Sequence, residues 1–122
     1  MVVPPLRSAR GALDGGADAR IGAAATDVAA HAWEALDPDG ARKRADILDK
    51  RVRPAGPLHG IPLAVKDIIA TRTLPTTCGS AIYRDHVVGK DADCVTRLVR
   101  AGAIVLGKAV TTEFAGGHGP PG

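Results

Sequence analysis

Aromatic side chains are nearly missing, since Trp33, Tyr83 and Phe114 are the only ones in 122 residues. Hydrophobic residues make up 45% of the chain, but much of that is alanine, so bulky core volume is scarce and the isolated chain is expected to be poorly stable. Cysteine is scarce as well. Cys78 and Cys94 form no CxxC pair, which excludes zinc-ribbon and thioredoxin-like readings and leaves no sign of a disulfide. No apolar run approaches the roughly eighteen residues of a membrane span. The opening MVVPPLRSARGALDGGADAR has no apolar stretch ahead of a small-residue cleavage site, so a reducing, cytoplasmic setting is the expectation. An excess of one charge is also lacking. The balance of 16 basic and 13 acidic residues, net +3, is too mild to argue for nucleic acid or an anionic membrane as partner. The densest basic segment, ARKRADILDKRVR at 41–53, has almost no aromatics nearby to stack bases and is read as a solvated helix face.

The length allows one modest domain. Residues 1–18 mix Pro4, Pro5, Gly11, Gly15 and Gly16 without periodicity and read as a disordered tail, leaving 19–122 as the folded part. Ile21, Ala24, Ala25, Val28, Ala32, Ala35 and Leu36 recur at helical intervals and predict a helix over 21–36. A second helix is predicted from Asp37-Pro38, with Asp37 as N-cap, Pro38 in the first helical position, and Ala41, Ala45 and Leu48 facing the core. After the breaker PAGPLHG a strand is predicted around 61–65, with Pro62 marking an edge position or a strand start. TRTLPTTCGS reads as a loop or short irregular strand. DADCVTRLVRAGAIVLGK then predicts a helix capped by Asp91, with a stripe of Val95, Leu98 and Val99, a left-handed Gly102, and a buried strand over 103–106. A strand, helix and strand in that order imply a right-handed β-α-β unit of an α/β sheet.

Little of the polar inventory carries chemistry by itself. His31, His59, His86 and His118 show no metal-ligand spacing. GGHGPPG lacks the lysine and hydroxyl residue of a phosphate-binding loop. Glu113 reads as part of a helix start capped by Thr111 or Thr112. More is carried by GPLHGIPLAVKD, residues 56–67. Alternation puts Ile61, Leu63 and Val65 on one face of the strand and Pro62, Ala64 and Lys66 on the other. Lys66 then either reaches water along its stem or is held in a pocket that lowers its pKa. Lys108 repeats the lysine-after-strand pattern and reads as a snorkelling side chain.

Taken in order, GPLHGIPLAVKD, LPTTCGS, DADCVTRLVRAGAIVLGK and TTEFAGG resemble the amino-terminal part of the amidase signature family, from about Ala41 to Gly117. The resemblance implies an α/β fold, the first part of that family's mixed-sheet domain. It also implies hydrolysis of a carbon–nitrogen amide bond through an acyl-serine intermediate, with a small-molecule amide as substrate and no cofactor or metal. The family's triad is a nucleophilic serine, a second serine in a cis peptide bond, and a lysine. The lysine carries over onto Lys66, whose burial among small neighbours is expected to lower its pKa and fit it as the base. Lys108 matches no catalytic position, so Lys108→Ala is expected to be much milder than Lys66→Ala. The family's serines lie downstream of the TTEFA-like motif. The serines here are Ser8 and Ser80, and Ser80 matches a family position that is not the nucleophile's. The resemblance therefore implies an incomplete, amino-terminal portion of the domain, inactive alone. The alternative expectation is a non-catalytic module whose helices at 21–52 pair with another chain.

Overall fold

The structure, a computed structural model, describes residues 32–117. Three strands, β1 (Trp33–Leu36), β2 (Pro62–Lys66) and β3 (Ile104–Ala109), form a sheet in the order β1-β3-β2. Two helices, α1 (Pro38–Asp49) and α2 (Asp93–Arg100), accompany it, with single 3-10 turns at Ala81–Tyr83 and Glu113–Ala115. The central strand β3 is parallel to β2 and antiparallel to β1, so the sheet is mixed and the chain is α/β. The parallel pair with α2 between its strands has the strand, helix and strand order expected from the sequence. No helix among the described residues is long and apolar enough to cross a membrane.

Local chemistry explains α1. Asp37 accepts a hydrogen bond from Gly40 N at 2.9 Å, Pro38 occupies the first turn, and Ala41, Ala45 and Leu48 recur on one buried face. That face packs on Ile104 and Leu106 of β3, and Trp33, Leu36 and Ala55 close the cluster's edge. Pro62 opens β2, which is an edge strand of the described sheet, so its missing N–H interrupts no ladder.

Two sequence expectations are corrected. The helix over 21–36 fails at its end, because residues 33–36 are strand β1; residues 21–31, like the tail 1–18, lie outside the described residues. The cause is non-local: Trp33 pairs with Ala109, Ala35 with Lys108 and Leu36 with Gly107, and Asp37 N donates to Leu106 O at 2.9 Å. Gly107 permits that approach, since a Cβ there would overlap Ala35 O and stand 3.0 Å from Trp33 Cε3. Asp91 is not the cap of α2. Ala92 holds that position, and Asp91 Oδ1 accepts from Arg72 N at 2.6 Å, tying the loop after β2 to the start of the helix. Asp93 in the first turn and Arg97 and Arg100 in the last suit the helix dipole. Of the expected stripe, Val95 is buried, Val99 is half-buried and Leu98 is exposed.

Gly102 follows α2 at φ +101°, and a Cβ there would lie 2.6 Å from His59 Cα. Both the left-handed backbone and the close approach require glycine. Gly102→Val is expected to lower soluble yield far more than Ala101→Ser, as read by the soluble fraction on expression; equal yields would remove this account of the α2–β3 corner.

The core rests on alanines and few large side chains, while Ile82, Val87 and Phe114 stand exposed. Apolar surface left to solvent invites association. The 122-residue chain is therefore expected to unfold with weak cooperativity and to aggregate on heating; a sharp, reversible calorimetric transition of monomer would contradict this.

Candidate functional site

The parallel strands β2 and β3 end side by side, and their carboxyl ends carry the polar residues of interest. In open α/β sheets ligands bind outside the carboxyl ends of the strands. Lys66 is the last residue of β2 and lies opposite Ala109 in the ladder. Its side chain is on the exposed face with Ala64, as the alternation anticipates. The burial expected of Lys66 is thus not supplied by residues 32–117.

Asp67, the next residue, falls on the buried face and is 1% exposed. Its carboxylate accepts from Thr77 N at 3.1 and 3.2 Å, from the Thr77 hydroxyl, and from Lys108 Nζ at 3.1 Å. Lys108 is 0% exposed, so the snorkelling expectation is overturned. Its ammonium donates also to Pro75 O at 3.1 Å and Thr76 Oγ1 at 2.9 Å. Three donors therefore meet three acceptors, which is what a buried ammonium requires. The sequence holds half of a signal for this pair. Leu63, Val65 and Asp67 alternate onto one face of β2, but on β3 strict alternation would put Lys108 with Ile104 and Leu106, and it is the register shift after Leu63 that sets Val65 opposite Lys108 and turns both charges to one side. Reading each residue without a partner misses both Asp67 and Thr77.

The loops after β2 and β3 are clasped together. Phe114 N donates to Cys78 O at 2.7 Å, and Ser80 Oγ donates to Glu113 Oε1 at 3.0 Å. Cys78, Phe114 and Ala115 have φ of 54°, 49° and 53°, a left-handed backbone that costs non-glycine residues of order 1–3 kcal/mol each and persists where surroundings hold it. The expected threonine cap of the Glu113 turn is absent: Thr112 occupies the cap position without a side-chain bond, and the Thr111 hydroxyl is buried without a partner among the described residues. Ser80 is buried and engaged with Glu113, so it presents no free hydroxyl beside Lys66.

A cavity of about 110 Å³ opens here between Glu34, Thr77, Ser80 and Arg84. A larger one, about 260 Å³, lies away from these groups, between α1 and α2 by Arg44 and Val99. His59 Nδ1 accepts from Ala55 N at 3.0 Å and stabilises the turn before β2, and the His86 ring stands edge-on to Tyr83 at 5.7 Å between centroids. His59 is engaged in that turn and His86 is exposed; His31 and His118 lie outside the described residues.

The architecture has known counterparts. It matches the peptide amidase of Stenotrophomonas maltophilia with a TM-score of 0.64 and 41% identity, over 69% of this chain and 18% of that one. A chain from a vestigial protein complex that bears on the origins of an s-triazine catabolic enzyme matches with a TM-score of 0.75 and 37% identity, over 88% of this chain and 24% of the other. Among curated proteins, a glutamyl-tRNA(Gln) amidotransferase subunit from Acidothermus cellulolyticus is 44% identical over 97 residues, 77% of this chain and 19% of the relative. The corresponding subunit from Geobacter sulfurreducens is 41% identical over 95 residues, 76% of this chain and 20% of the relative. The chain spans about a fifth of the length of these curated relatives. Residues 19–119 match the Amidase family, and the chain belongs to that family of amidase signature proteins.

Proposed function

We propose that this chain contributes the lysine base of an enzyme that hydrolyses the amide bond of a small molecule through an acyl-serine intermediate. The observation that carries the reading is the place of Lys66, last residue of a strand at the carboxyl end of the parallel pair, within a chain of the amidase family. A serine hydroxyl is a poor nucleophile until a base takes its proton, and a neutral lysine amine can take it. Here the exposed face around Ala64 and Lys66 is where the serine-bearing segment of the domain would lie, and its docking would supply the desolvation that favours the neutral amine. In this reading neither cofactor nor metal is needed, nucleic acid and membrane are not bound, and the setting is the cytoplasm, in keeping with free thiols at Cys78 and Cys94.

A second reading, pairing with another chain without catalysis, is favoured by the exposed Ile82, Val87 and Phe114 and by relatives that are themselves named as subunits. The two readings separate in an enzyme completed by joining this chain to the downstream segment of the peptide amidase. Amide hydrolysis that disappears in Lys66→Ala supports the first; an inactive product, with the 122-residue chain forming a stable complex with a separately supplied downstream segment, supports the second.

A further inference from the structure

We propose that Asp67 and Lys108 are positioning residues for Lys66, holding the end of β2 at a fixed height and orientation so that the amine meets its serine partner. The proposal rests on the reading of Lys66 as the base. Lys66 and Asp67 are consecutive and point to opposite faces, so whatever fixes the Asp67 side chain fixes the backbone from which Lys66 projects.

That fixing is unusually complete. Asp67 N donates to Ala109 O at 2.8 Å, Ile69 N to Lys66 O at 2.9 Å and Cys78 N to Asp67 O at 2.9 Å, so the main chain on both sides of the lysine is tied to β3 and to the following loop. The carboxylate adds a crosslink to the side chain of β3 through Lys108 Nζ at 3.1 Å, and to the loop through both donors of Thr77. Lys108 in turn reaches Pro75 O and Thr76 Oγ1 in that loop. Two strands and one loop therefore converge on a network directly behind Lys66.

Stability alone does not account for such a network. A buried ion pair is a poor stabiliser, since well-packed apolar side chains of similar volume serve as well or better. Ionic hydrogen bonds add direction, which apolar contacts lack. A base must be held to about 0.5 Å, and a misplacement of about 1 Å costs on the order of a hundredfold in rate.

The test uses the completed enzyme described above. The apolar pair Asp67→Leu with Lys108→Met is expected to keep a melting temperature near the parent's while kcat falls roughly a hundredfold and KM stays in place. Lys108→Arg, which keeps a cation and its donors, is expected to recover part of that loss relative to Lys108→Met. If the apolar pair folds poorly, Thr77→Val carries the same comparison with a smaller change: kcat falls with KM held. In the 122-residue chain, without any turnover, Thr77→Val is expected to raise amide exchange at Asp67 at least tenfold while Leu48 in α1 keeps its protection. A parental kcat in a stable apolar pair or in Thr77→Val, or equal exchange losses at Asp67 and Leu48, would overturn the proposal. Should Lys66→Ala itself retain the parental kcat, the reading of the base fails instead. Loss of activity in Lys66→Ala beside a fully active apolar pair removes the positioning role alone.

Discussion

Lys108→Ala in the completed enzyme is expected to lower its unfolding free energy by about 3–5 kcal/mol, and Asp67→Ala by a similar amount, because each leaves its partner as an uncompensated buried charge. Lys108 is 0% and Asp67 1% exposed, and their charged groups lie 3.1 Å apart. A snorkelling Lys108 would carry no such cost. The urea midpoint, at an unchanged slope, is the measurement. Lys90→Ala, at an exposed position, is the control and is expected to leave the midpoint in place. Replacing both charges with apolar side chains should cost less than either alanine substitution, since no charge is then stranded. Single losses near zero would mean that the pair is not buried in solution.

The second large effect concerns turnover. Lys66→Ala in the completed enzyme is expected to reduce kcat by roughly 10²- to 10⁴-fold, the range spanned by a positioned general base. KM should change little, since the lysine contributes to the transition state and not to holding the amide. The 122-residue chain itself should show no amide hydrolysis above background, because the Ser80 hydroxyl is buried and donates to Glu113 while Lys66 stands on the exposed face. Steady-state ammonia release on a panel of small amides reads both outcomes. Hydrolysis by the short chain, unaffected by Lys66→Ala, would place the chemistry elsewhere.

What can be read from the sequence follows the range of the interactions. The α1 helix is legible because Asp37, Pro38 and the Ala41-Ala45-Leu48 spacing act within a few residues of one another. Strand β2, and Gly102 between α2 and β3, are legible for the same reason; β3 is legible at its start, but it runs past the expected 103–106 to Ala109 and takes in Lys108, because pairing with β1 and β2 carries it on. Strand β1 is not: Trp33, Glu34, Ala35 and Leu36 continue a helical spacing, and only the pairing with the distant strand β3 makes them extended. Asp91 is misplaced by local reasoning because its side chain answers to Arg72 in a different loop, where a helix cap is the simpler reading. The site divides in the same way. Lys66 stands out by resemblance to a family motif, whereas Asp67 and Lys108 are two charges at inward-facing positions whose meaning exists only when β2 and β3 lie in register.

The most direct test of Lys66 as the base is chemical rescue. In the completed enzyme carrying Lys66→Ala, the vacated space can admit a small primary amine, which can then take the serine's proton in place of the missing side chain. The account predicts that amide hydrolysis, depressed by the substitution, rises with added ethylamine in a concentration-dependent way, and that Lys108→Met shows no such rise. Undiminished hydrolysis by Lys66→Ala without added amine, or rescue confined to Lys108→Met, would contradict it.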